Sequence, residues 1–111
     1  MIMLQRSLTY GSPAEDMEVR IQVHAPVQGE KDWSCAYEIA WPDGPRRGYG
    51  YGVDATQAML LALQAIGTDI YTSDYQRSGR LRWEREGRGY GFPVPRTIRD
   101  LLIGDDAQTF G

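Results

Sequence analysis

Thiols and imidazoles are almost missing from this sequence: 111 residues include one cysteine, Cys35, and one histidine, His24. A lone cysteine excludes an intrachain disulfide and a thiolate metal cluster, so Cys35 reads as a small buried hydrophobe. His24 has no His, Cys or carboxylate beside it at metal-ligand spacing and reads as a solvated side chain. Ser34 stands outside any Gly-x-Ser-x-Gly elbow, and the adjacent Asp105 and Asp106 lack a third oxygen ligand nearby. Any catalysis would have to be assembled from Arg, Asp, Glu and Tyr. No catalytic residue, metal or cofactor is therefore expected.

Long apolar runs are missing as well. Only four apolar residues precede Gln5 and Arg6, too few for a signal-peptide core, and nothing later approaches a membrane span. The expected location is the cytoplasm, with no membrane partner. Lysine is nearly absent too, since arginine supplies eleven of the twelve basic residues.

What is present is the composition of a folded domain: 41% hydrophobic and 24% charged residues with six prolines. The length suits one domain, assigned to residues 1–103, followed by a polar tail at 104–111 that is expected to fray. The net charge of −3 conceals an asymmetry. Between Arg77 and Arg99 stand seven arginines and two glutamates, whereas the remainder holds five basic and thirteen acidic residues. Arginine clusters serve anion recognition or pair with acidic neighbours. The acidity of the whole favours the second reading and argues against nucleic acid as a partner.

Period-two alternation organises the first half. In MEVRIQVHA, Met17, Val19, Ile21, Val23 and Ala25 share one face, opposite Glu18, Arg20, Gln22 and His24. WSCAYEIAW places Trp33, Cys35, Tyr37, Ile39 and Trp41 together against Ser34, Ala36, Glu38 and Ala40. Ile2, Leu4, Leu8 and Tyr10 form a first strand in which Arg6 is the in-phase exception. Turn residues at 11–13, 28–30 and 42–45 separate these strands, and RRGYGYGV makes a fourth. Asp54 then caps a helix, with Gln57 in the capping-box position. Ala55, Met59, Ala62, Leu63, Ile66 and Ile70 make its apolar stripe, and the helix should run from Ala55 to about Tyr71. Leu61 falls opposite, beside Gln57, Gln64 and Thr68. After the turn-prone DYQRSG, LRWERE is a short strand and GRGYGFPVP a candidate return strand, with one or two helical turns from Arg96 to Leu102.

Arg-Gly-Tyr-Gly occurs twice, at 47–50 and 88–91. Each copy matches five positions of an RNA-binding aromatic strand motif, then fails where valine is required, at Gly52 and Pro93. Nor does the first copy make a phosphate loop, because Asp54 as cap would occupy the helix N-terminal amides and repel an anion. Sheet architecture explains the motif better. Tyr49, Tyr51 and Val53 are expected to continue the core while Gly48, Gly50 and Gly52 leave the other face flat.

The stretch GVDATQAMLLALQAIGTDIY, preceded by DWSCAYEIAWP and followed by LRWE and GFPVP, resembles a family of short uncharacterised bacterial domains. Gly52, Asp54, Gln57, Ala58, Leu61 to Leu63, Ile66, Gly67, Trp83 and Gly91 to Pro93 carry the likeness. It implies a bacterial origin and this α+β unit, and implies no activity.

The expected fold is thus α+β: an antiparallel four-strand meander, one long helix on one face and a C-terminal strand or hairpin, in two layers. Two functional readings follow. One is a non-catalytic protein-interaction module of inhibitor or immunity type, contacting an unknown protein partner through Arg20, His24 and Glu38 on an uncovered sheet face. The other is a small anionic-ligand-binding or enzymatic domain, with Arg82, Arg85 or Arg88 of the Arg80 to Arg88 segment meeting the anion between helix and hairpin. A homodimer through a free sheet edge, placed at the N-terminal strand, is compatible with either.

Overall fold

A computed structural model describes residues 1–111. The elements are β1 (Ile2–Gly11), β2 (Asp16–His24), β3 (Val27–Gln28), β4 (Trp33–Trp41), β5 (Gly44–Gly52), α1 (Ala55–Tyr71), α2 (Asp74–Arg77), β6 (Leu81–Arg82), a 3-10 segment (Arg96–Leu101) and α3 (Gly104–Phe110). The fold is α+β with one antiparallel sheet. β1, β2, β4 and β5 follow one another across it, as the alternation predicts. Two short strands extend the meander: β3 continues along β4 beyond β2, and β6 pairs with β1 at Thr9 and Tyr10. No helix is long and apolar enough to cross a membrane.

Burial follows the pleat. Leu8, Val19, Ile21, Val23, Cys35, Tyr37 and Ile39 point inward and are buried, each large aliphatic contributing roughly 1.5–3 kcal/mol of transfer free energy. α1 starts where the cap requires. The Asp54 carboxylate accepts from the Gln57 amide at 2.8 Å, and the Gln57 side chain accepts from the Val53 amide at 2.7 Å, a reciprocal cap displaced by one residue.

The helix meets the sheet with its smallest residues. Ala58 and Ala62 are buried, whereas Met59 and Leu63 are only half-buried. Opposite them lies the glycine face of β5: a Cβ on Gly50 would collide with the Ala62 amide and the Ala58 carbonyl. α1 therefore sits directly on the β5 backbone. This reverses the expected orientation, in which Tyr49, Tyr51 and Val53 continued the core. They point to the other side and are 56%, 55% and 82% exposed. Cys35 lies across from Gly50 and Tyr37 from Gly48, so the apolar face of β4 fixes which face of β5 turns inward.

The C-terminal third departs further from expectation. GRGYGFPVP forms no return strand, because Gly87, Gly89 and Gly91 take φ values of 76°, 93° and 77°, a left-handed conformation that breaks extended pairing. DYQRSG contains the short α2 rather than an open turn, with Ser73 as its cap. The segment after Trp83 crosses the inner face of β1 and β2 and inserts Tyr90, Phe92 and Val94 into the core. Residues 104–111 are no frayed tail. α3 is pinned by Asp106, 2% exposed.

Candidate functional site

Three groups of side chains warrant attention, and each is positioned by a different part of the fold. The first is the sheet face that no helix covers. β2 brings Glu18, Arg20, Gln22 and His24 to it, β4 brings Ser34, Ala36, Glu38 and Ala40, and β5 brings Arg47, Tyr49 and Tyr51. Arg20 and Glu38, two of the residues expected to contact a partner, each have an ion-pair neighbour: Glu18 at 2.9 Å for Arg20, and Arg47 at 3.3 Å for Glu38. His24 stands at the end of β2, half-buried opposite Ile2, two residues along from Gln22, which pairs with Glu38. Tyr49 and Tyr51 stack with ring centroids 5.9 Å apart and an interplanar angle of 24°. Beside them runs the outer edge of β5, nine residues paired on one side only and continuous in register.

The outer edge of β1, where dimerisation was expected, is partly occupied. β6 pairs with it at one end, and Arg6 donates from Nη1 to the Tyr90 and Gly91 carbonyls at 3.2 and 3.0 Å. β5 has no such cover.

The second group is the arginine segment. Arg82 pairs with Asp16 at 2.8 Å, and Arg88 meets both carboxylate oxygens of Asp105 at 3.1–3.2 Å. Arg80 reaches the Tyr10 ring instead. Arg85 lies with Arg88, Trp83, Glu84 and Asp105 around a shallow polar depression, and Arg82 is not part of it. The three arginines therefore do not converge.

The third group lies where β1, β2, α1 and the Gly91–Pro93 loop meet around a cavity of about 210 Å³. The arginine on its wall is Arg6, whose guanidinium stacks 3.9 Å from the Trp83 ring. Sequence reasoning passed over Arg6 as a cavity residue, although its in-phase position on an apolar strand face was the signal. Tyr49 and Tyr51 were missed as surface residues because Tyr and Val score as core formers wherever they alternate with glycine.

Two tyrosine–carboxylate pairs complete the polar interior. Tyr37 donates to Asp69 at 2.5 Å, with Arg46 on the same oxygen, and burial assisted by that bond pushes the Tyr37 phenol up to about 12. Tyr71 donates to Asp106, and burial with that bond raises its pKa far above the ordinary value. The two pairs tie α1 to β4 and to α3.

A family model for a domain of unknown function, DUF6968, matches residues 4–94. No curated protein and no solved structure matches the chain significantly. The matched span takes in the sheet from Leu4 onward, α1, α2 and the loop through Val94, and stops before the 3-10 segment and α3. The chain belongs to the DUF6968 family of uncharacterised domains.

Proposed function

We propose that the protein is a non-catalytic protein-interaction module that engages its partner through β5, using the stacked Tyr49 and Tyr51 on the open face and the unpaired strand edge beside them. One observation carries this reading: two aromatic rings more than half exposed, next to Val53 at 82% exposure, on an edge strand with no bulge or proline along its aromatic half. Soluble proteins blunt such edges unless the edge is used. Exposed tyrosines in a small apolar patch, with Ala36 across from Tyr49 and charged residues around it, have the make-up of an interface centre with a polar rim. A partner adding a strand to β5 would satisfy the free backbone groups and cover both rings at once. Arg20 and Glu38 then belong to the rim, where charges set approach and orientation more than affinity.

The partner is a protein strand, and a second copy of this chain is one such strand. Affinity capture from the native host with wild-type protein and with Tyr49→Lys/Tyr51→Lys tests the reading, alongside sedimentation of both proteins over micromolar concentrations. A partner or a dimer present with wild type and lost with the double variant is the expected result. Capture profiles and masses identical for the two proteins would refute it.

A further inference from the structure

We infer that the cavity beside Arg6 is a binding site for a small amphipathic carboxylic acid, with the carboxylate on the guanidinium and the apolar body between the sheet and Leu63. This goes beyond the interaction surface on β5, which lies on the opposite face of the sheet.

The cavity has two kinds of wall. Leu4, Ile21, Val23, Leu63, Phe92 and Pro93 make it mostly apolar, with Gln5 as a neutral polar neighbour, and Arg6 brings a cation to the same space because it sits opposite Ile21 on the inward face of β1. At about 210 Å³ it exceeds the roughly 150 Å³ cavity that accommodates benzene in a protein interior. A monocyclic aromatic acid or a short-chain fatty acid therefore fits, and a nucleotide does not.

Arg6 has donors to spare. Of the five N–H groups on a guanidinium, those of Nη1 go to the Tyr90 and Gly91 carbonyls. Nε and Nη2 have no protein acceptor, and neither is sealed away from solvent. Arg6 has no carboxylate within 4.0 Å, and the other arginines without one, Arg80, Arg85, Arg96 and Arg99, are exposed whereas Arg6 is half-buried. A cation kept against apolar walls without a counter-ion is the costly arrangement, and a carboxylate on the Nε–Nη2 edge would relieve it through two parallel charge-assisted bonds. Burial lowers the pKa of Arg6, and the charges of Asp106 and Glu84 act in the other direction without either carboxylate touching it. Inorganic phosphate would meet the cation but leave the apolar wall wet.

The position of the guanidinium is preset. It is held between the Trp83 ring at 3.9 Å and the Phe92 ring at 5.2 Å, so little side-chain entropy is left to lose on binding. The site adds ligand contact to a side chain that also holds the Gly91 loop.

Titration of ¹⁵N-labelled protein with benzoate, benzamide and inorganic phosphate, followed by amide and arginine Nε resonances, tests the inference. Benzoate should shift the Arg6 Nε and the Gly91 and Phe92 amides and bind roughly tenfold or more tightly than benzamide, the neutral isostere. Phosphate should leave the cavity resonances in place. Leu63→Trp, which fills the cavity and keeps Arg6, should abolish the benzoate shifts. Arg6→Gln should erase the preference for benzoate over benzamide. The wild-type titration decides by itself if either variant does not fold: shifts mapping elsewhere, equal affinity for acid and amide, or no shift at millimolar benzoate would each overturn the site.

Discussion

The Tyr71 hydroxyl donates a 2.5 Å hydrogen bond to Asp106, joining the last residue of α1 to a helix 35 positions further on. The same carboxylate accepts the Tyr90 amide at 2.7 Å and the Gly91 amide at 2.8 Å. One buried side chain thus satisfies three donors and fixes the second Arg-Gly-Tyr-Gly copy against the core. Removing it leaves those donors unpaired. Asp106→Ala should lower unfolding free energy by roughly 2–4 kcal/mol, read from urea denaturation, and truncation after Ile103 should cost at least as much. A change below the error of the extrapolation would show that α3 is dispensable.

Alkaline pH should destabilise the fold through its buried tyrosines. Burial and the Asp69 bond raise Tyr37 from 10.0 to about 12, and burial raises Tyr90 to about 12 as well. The folded protein therefore holds protons that the unfolded chain releases between pH 10 and 12, so this stability is intact below pH 10 and lost as pH rises through 12. Each of these tyrosines contributes a slope of about −1.4 kcal/mol per pH unit in that window. Denaturation midpoints measured at intervals from pH 8 to 12 check the sign. Stability flat across that range would contradict it.

Opposite faces of β5 should respond oppositely to substitution. Gly50→Val places atoms where α1 already lies and should destabilise by roughly 1–3 kcal/mol or more, because an overpacked contact relaxes only by moving the helix. Tyr49→Ala and Tyr51→Ala change exposed side chains and should alter stability by only about 0.5 kcal/mol while abolishing partner capture. Thermal unfolding of the three variants, compared with capture by each, separates the two faces.

The arginine segment should not behave as a nucleic-acid surface. Arg82 and Arg88 lie against Asp16 and Asp105, and the surrounding chain is acidic. Fluorescence anisotropy with single-stranded RNA should show negligible binding at moderate salt. Micromolar binding that weakens steeply with added salt and disappears in Arg82→Ala/Arg88→Ala would reverse this, through counterion release from a recognised backbone.

Much of this molecule is determined locally. Alternation in β2 and β4 assigns each residue to a face because a strand has a period of two, and Val, Ile and Cys differ sharply in hydropathy from Glu, Arg and Gln between them. Asp54 and Gln57 start α1 where a side-chain acceptor can reach the first free amides, and the helix ends at Tyr71 as its apolar repeat does. Tertiary structure alone decided the orientation of β5 and the role of the C-terminal residues. Glycine carries no hydropathy signal, and tyrosine suits either side of a sheet, so Gly50 turns inward because it pairs across from the buried Cys35 of β4 and because Ala58 and Ala62 of α1 leave room for a backbone and nothing more. Asp106 is a polar residue among polar neighbours until Tyr71, Tyr90 and Gly91 converge on it, and Arg6 is an irregularity in a strand until Trp83 and the Gly91 loop close over it. These are pairwise relations between residues 8 to 85 positions apart, and no local pattern encodes them.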